Sequence, residues 1–182
     1  EPIAERYARG WHCLGLAKEF TSEPKKIEYF GKKFVAYRGA EDGIVHILDA
    51  YCPHMGADLS NGCVKENSIV CPFHAWSWGA DGVCDDIPYA EHIPAKAVIG
   101  SYPTAEQNGL LLMWHDPEGN PPIPEQFPRR IDDYYSGEWT DWNLTIVPIE
   151  SNCRELVDNI TDMAHFGPVH YSHVETFSNI QD

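Results

Sequence analysis

Cys52-Pro53-His54 and Cys71-Pro72-Phe73-His74 bracket sixteen residues, Met55-Gly-Ala-Asp-Leu-Ser-Asn-Gly-Cys-Val-Lys-Glu-Asn-Ser-Ile-Val70. Each half of the pattern carries one thiol and one imidazole. That alternation suits a two-iron two-sulfur cluster whose irons take different ligands: Cys52 and Cys71 on one, His54 and His74 on the other. Replacing thiolate by neutral imidazole raises the reduction potential of such a centre. Two short loops closing over a cluster from opposite sides would each deliver one ligand of each kind. Cys2His2 also binds zinc tetrahedrally. Zinc sites, however, usually pair Cys with Cys and His with His in separate halves, and here each half is mixed.

Working outward, turn signals and short apolar runs surround the motif. Trp11-His12-Cys13-Leu14-Gly15 reads as an early core strand, with His12 a packed histidine and not a ligand. Tyr29–Tyr37 reads as two strand fragments about Gly31-Lys32. Asp42-Gly43 before Ile44-Val-His-Ile-Leu48 is a hairpin signal that leaves His46 on the wet face. Asn61-Gly62, Glu66-Asn67, Asp81-Gly82 and Asn108-Gly109 mark further turns. Trp76 and Trp78 alternate with small residues, as in a half-buried strand, and are read as shielding and packing. Leu110–Trp114 is a continuous apolar run suited to a buried strand. An all-β unit over residues 8–118 follows from this spacing.

The texture changes at Asp116-Pro-Glu-Gly-Asn-Pro-Pro-Ile-Pro124, where four prolines in nine residues stiffen the chain and remove ladder donors. Residues 119–182 are assigned to a second domain, opened by a strand over 139–149. Asn152 as N-cap with Glu155 three residues on predicts a helix from there to about Phe166, stopped by Pro168. Asn159, Asp162 and His165 would then share one helical face, with His170 just past the break. His165 and His170 are candidate ligands for a mononuclear iron of the two-histidine, one-carboxylate kind. Asp162 is placed to hold the second ring nitrogen of a histidine. A helix-end histidine pair is the plainer alternative. Glu175 and Asp182 are the only acidic residues beyond His170, and both lie too near in sequence to complete the triad.

The formal charge of -15 argues against nucleic-acid binding, which needs a basic face. No apolar run reaches the length of a membrane span, and no signal-peptide pattern opens the chain, which begins Glu1-Pro2. Beyond the two motif cysteines, Cys13, Cys63, Cys84 and Cys153 read as free, mostly buried thiols of a reducing cytoplasm.

Taken together, the motif and its flanks resemble the oxygenase component of Rieske non-haem iron oxygenases, and within them the 3-ketosteroid 9α-hydroxylase branch. Arg9–Gly15, Leu48–Gly56, Asp86-Ile-Pro-Tyr89, Trp114-His-Asp-Pro117 and Asp158–His165 carry that resemblance, which extends over nearly the whole chain. It implies an α+β protein: an all-β Rieske domain followed by the start of a helix-grip catalytic domain. It also implies that Cys52, His54, Cys71 and His74 hold the 2Fe–2S cluster, while His165 and His170 hold a mononuclear Fe(II). Asp162 would bridge a catalytic histidine to His74 of a neighbouring subunit in a homotrimer, and Asn159 would lie near the iron. The third iron ligand would be an aspartate beyond this sequence. Implied partners are a steroid, O2 and a flavin/iron–sulfur reductase. A plain Rieske ferredoxin would have no use for residues beyond about 115, and a sterol desaturase would share both metal sites. The disulfide-forming cysteines of the respiratory Rieske type are replaced here by Ala57 and Phe73.

Overall fold

The computed structural model describes residues 7–176, less the side chain of Cys153, and divides into two compact units at Leu144/Thr145. The first unit is built from eleven short strands: β1 (Gly10–Leu16), β2 (Lys25–Tyr29), β3 (Lys32–Arg38), β4 (Val45–Asp49), β5 (Cys63–Lys65), β6 (Ser68–Val70), β7 (Ser77–Trp78), β8 (Cys84–Asp86), β9 (Ser101–Tyr102), β10 (Thr104–Gln107) and β11 (Leu110–His115). They form three antiparallel sheets, β1-β11-β10, β2-β3-β4-β9 and β5-β6-β7-β8.

The middle sheet is covered on both faces. Val35, Tyr37 and Leu48 point into one apolar cluster with Leu59, Ile69, Trp78 and the motif cysteines. Phe34, Ala36, Val45 and Ile47 alternate into a second cluster with Leu14, Phe20, Leu111 and Met113. Period-two alternation thus feeds two cores at once. This is why Phe34–Tyr37 reads as an unbroken buried run and not as an amphipathic strand.

Several turns are where the sequence puts them. The β10–β11 hairpin turns on Asn108-Gly109, both at positive φ (54° and 74°), the type I′ geometry for which Asn-Gly is favoured. The β2–β3 turn lies one residue earlier than expected, on Phe30-Gly31 (φ 53° and 67°), and Lys32 is already in β3. The phenyl ring of Phe30 accounts for its place in so unusual a conformation. It stacks on His115 at 4.1 Å and takes the edges of His12 and Tyr7. His46 is not on a wet face. Its side chain is only 12% exposed, held by Asp42 Oδ2 (2.9 Å) and leaning on Tyr37.

Asn108 also explains where the first unit ends. It is buried, and its side chain accepts from Ile131 N–H and donates to Arg129 C=O, while its backbone N–H donates to Tyr135 Oη and its carbonyl accepts from Trp142 Nε1. The proline-rich exit and the short helix α1 (Asp132–Ser136) are therefore strapped to the β unit.

The second unit differs from the sequence reading in two ways. Residues 139–149, which cross the boundary between the units, form no strand and pair with no ladder partner among the described residues. The predicted single helix is two. Helix α2 (Cys153–Thr161) is N-capped by Asn152, whose side chain accepts from Arg154 N–H, and C-capped by Asp162; α3 (Phe166–His170) follows. Pro168 sits in the first turn of α3, where its missing N–H costs nothing. No helix among the described residues is long and apolar enough to cross a membrane. Cys13, Cys52, Cys63, Cys71 and Cys84 are all free, but Cys13 and Cys63 are exposed rather than buried.

The sheet β5–β6 carries the second half of the motif, and Gly62 sets how closely it closes. A Cβ there would run into the carbonyl oxygen of Val70, the residue before Cys71. Gly62→Ala should lower unfolding stability by about 1–3 kcal/mol, read by denaturant titration. Wild-type stability would show that this hairpin opens freely.

Candidate functional site

Both halves of the motif are built on one backbone plan. In the first loop Cys52 N–H donates to Ala57 C=O (2.8 Å) and Gly56 N–H to Cys52 C=O (2.8 Å). In the second, Cys71 N–H donates to Trp76 C=O (2.8 Å) and Ala75 N–H to Cys71 C=O (3.1 Å). Gly56 (φ 73°) and Ala75 (φ 57°) occupy the same left-handed position in each loop. The plan was legible in the paired Cys-Pro starts and the small residue four places on, a correspondence the spacing of the ligands alone obscures. The histidines break the equivalence: His54 is the second residue after its cysteine, His74 the third.

Cys52 and Cys71 are buried within the apolar core, His54 is exposed and His74 half-buried. The two imidazoles lie edge-to-face with centroids 4.7 Å apart. Burial pushes the Cys52 thiol above its ordinary pKa, and the adjoining Cys71 thiol adds to this; the His54 backbone N–H and the Trp78 indole act against it. Trp78 Nε1 is itself fully buried and, among the described residues, completes no hydrogen bond. A buried N–H beside a neutral thiol is poorly satisfied, whereas a metal-bound thiolate is a much better acceptor. Cys84 is a further buried thiol of the same core, donating to Asp86 C=O (3.6 Å).

Among the described residues no three His, Cys, Asp or Glu side chains gather about one point. The donors come as a buried sulfur pair and an outer imidazole pair. That suits a two-iron cluster with two protein ligands on each iron.

In the second unit, Asp162 and His165 do not share a helical face. Asn159 is in α2, Asp162 caps it, and His165 begins α3. The tight corner between the helices brings them together instead. His165 Nδ1 lies 3.4 Å from Asp162 Oδ2, buried and, among the described residues, without a completed hydrogen bond, while Asp162 Oδ1 accepts from Ala164 N–H (2.9 Å). The His165 and His170 rings are 5.1 Å apart. Asn159 lines a separate groove of about 510 Å³ with Val147, Ile149, Glu155 and Leu156. Glu175 is exposed, and Asp182 lies outside the described residues.

A four-stranded sheet beside two Cys/His loops of one backbone plan is the arrangement of an iron–sulfur domain. The chain belongs to the Rieske 2Fe-2S domain family, which it matches over residues 10–103; residues 113–182 match the 3-ketosteroid 9alpha-hydroxylase C-terminal domain. It is similar to a 3-ketosteroid-9-alpha-monooxygenase oxygenase component of Rhodococcus rhodochrous, with 51% identity over 96% of this chain and 44% of that protein. It is also 39% identical, over 90% of this chain and 36% of the other, to the cholesterol 7-desaturase of Hemicentrotus pulcherrimus. Among solved structures, dicamba monooxygenase bound to 3,6-dichlorosalicylic acid aligns with a TM-score of 0.70 at 25% identity, over 90% of this chain and 47% of that one. The chain spans about half the length of the 3-ketosteroid-9-alpha-monooxygenase components it matches.

Donors aimed at a ligating sulfur stabilise the reduced, more negative centre and raise its potential. With Cys52 as an iron ligand, Trp78→Phe keeps an aromatic ring and removes the donor. The midpoint should fall, by up to about tenfold in the reduction equilibrium or about 59 mV for one electron, in a redox titration of the loaded protein. An unchanged midpoint would show that the indole N–H does not act on the ligand sulfur.

Proposed function

We propose that the chain is the cluster-bearing part of the oxygenase component of a Rieske monooxygenase that hydroxylates a steroid, at the 9α position of a 3-ketosteroid. The carrying observation is that one chain holds both the two Cys/His loops and, in a separate unit, the corner that gathers Asp162, His165 and His170. An electron carrier alone needs only the first.

In this reading Cys52, Cys71, His54 and His74 hold the 2Fe–2S cluster. His165 and His170 hold a mononuclear ferrous ion, with a carboxylate that the described residues do not supply. When bound, these groups supply one-electron storage and dioxygen activation. The chain's own residues do the rest. Buried Cys52 and Cys71 keep water from the sulfurs, and the outer position of His54 and His74 presents an imidazole edge at the surface. Asp162 Oδ2 lies 3.4 Å from His165 Nδ1; accepting from that N–H once iron is bound would fix the tautomer and leave Nε2 as the metal-facing nitrogen. The Asp162 side chain is 53% exposed, so it can also accept from the partner subunit's His74 in a homotrimer. Asn159 lies near the iron without ligating it. Electrons would come from a flavin/iron–sulfur reductase in the cytoplasm. The second reading, a sterol desaturase, is favoured by the 39% identity to a cholesterol 7-desaturase.

The test is to supply the intact protein with a reductase, O2 and a 3-ketosteroid and to identify the product. A 9α-hydroxylated steroid is expected; a new carbon–carbon double bond would make it a desaturase. Reversible reduction with no oxygen-dependent product would leave only an electron carrier.

Asp162 separates wiring from structure. Asp162→Ala should leave the cluster spectrum intact while slowing single-turnover oxidation of the pre-reduced protein about 10–100-fold. Asp162→Asn retains the acceptor for Ala164 N–H and should be slowed as well. Wild-type rates in both would reduce Asp162 to a helix cap.

A further inference from the structure

The indole of Trp76 has a place that its reading as packing does not explain. Its backbone closes the second loop, by accepting from Cys71 N–H, yet its ring lies on the first. The indole stacks flat on His54, centroids 4.6 Å apart and planes 11° from parallel. Its other edge is fixed: Nε1–H donates to Tyr89 Oη at 2.6 Å. Tyr89 stands on the strap after β8, anchored by buried Ile87 and by the Ala90 N–H to Ile87 C=O bond (3.0 Å), and its own side is open to solvent. Trp78 backs the indole at 5.8 Å. Among the described residues the exposed His54 ring makes no hydrogen bond. Ring contacts with Trp76 and His74 are what orient it.

We infer that Trp76, locked by Tyr89, is a positioning residue that holds the His54 ring at one rotation and keeps the reduction potential of the centre low. This rests on the reading of His54 as a cluster ligand.

The sign follows from charge. With two thiolates and two sulfides against two ferric ions, the oxidised centre is neutral; one added electron makes it an anion, with no bond formed or broken. The indole presents the negative face of its quadrupole to an imidazole that must share that added charge. It also covers one face of the ring that water would otherwise solvate, and control of solvent access is control of potential. Both effects disfavour the reduced state. Trp76 and Trp78 therefore act in opposite directions, the first through its face and the second through its N–H. The hydroxyl of Tyr89 acts only through Trp76, by keeping the indole from swinging off the ring.

The experiment compares the cluster-loaded wild type with Trp76→Ala, Trp76→Phe and Tyr89→Phe. The readouts are the midpoint, by spectroelectrochemistry, and the EPR line width of the reduced protein. Trp76→Ala should raise the midpoint by up to about tenfold in the reduction equilibrium, about 59 mV for one electron, and broaden the lines as the ring rotation spreads. Trp76→Phe should recover most of the wild-type value. Tyr89→Phe, at an exposed position where folding is not at stake, should shift the midpoint the same way by less, with the same broadening. A mixed-ligand spectrum with unchanged midpoint and line width in both Tyr89→Phe and Trp76→Ala would overturn the clamp. A wild-type protein whose spectrum shows no imidazole-ligated cluster would overturn the underlying ligand reading, and the clamp with it.

Discussion

The structure depends on the paired loop closures, Cys52 N–H to Ala57 C=O and Cys71 N–H to Trp76 C=O, each 2.8 Å. A thiol that is to meet metal inside an apolar core has to be delivered by backbone whose own polar groups are satisfied. Each closure satisfies its cysteine's N–H within the loop, and each relies on a left-handed residue, Gly56 or Ala75, to turn the chain back. The rest of the first unit positions these two loops. Sheet β5-β6-β7-β8 carries the second, and the end of β4 leads into the first. The core that includes Leu48, Leu59, Ile69 and Trp78 holds both from beneath.

Because the cysteines point inward and the histidines outward, the site has a dry side and a wet side. Trp78 belongs to the first and Trp76 to the second. Neighbouring indoles two residues apart thereby serve different proposed ligands: Trp78 packs in the core with Cys52 and Cys71, and Trp76 stacks on His54.

Much of the first unit was legible because its signals are local. Asn108-Gly109 and Glu66-Asn67 sit in turns, Leu110–Trp114 forms a buried strand, and the mixed Cys/His halves point to one cluster type. What sequence order hid was non-local: the covering of His46 by Asp42 and Tyr37, and the anchoring of the 119–144 segment through buried Asn108. Tyr89 gave no signal of its own, since an exposed tyrosine after Pro88 says nothing about the indole it fixes. The second unit was less legible for a different reason. Ile146, Val147 and Ile149 are 82%, 67% and 63% exposed, as are more than half of the Leu156, Val157 and Ile160 side chains of α2. A strand prediction over 139–149 and a single long helix both presuppose packing partners that the described residues do not provide. The corner at Asp162–His165 nevertheless forms, because its capping bonds are local.

One centre is thus proposed to be held by two thiolates and two imidazoles drawn from both loops. Pulsed EPR of the dithionite-reduced protein tests it directly, by counting nitrogen nuclei coupled to the cluster spin. Two strongly coupled imidazole nitrogens are predicted, with His54→Cys and His74→Cys each removing one while acid-labile sulfide remains. A protein that retains both couplings in either variant, or that binds zinc with neither iron nor sulfide, would contradict the account.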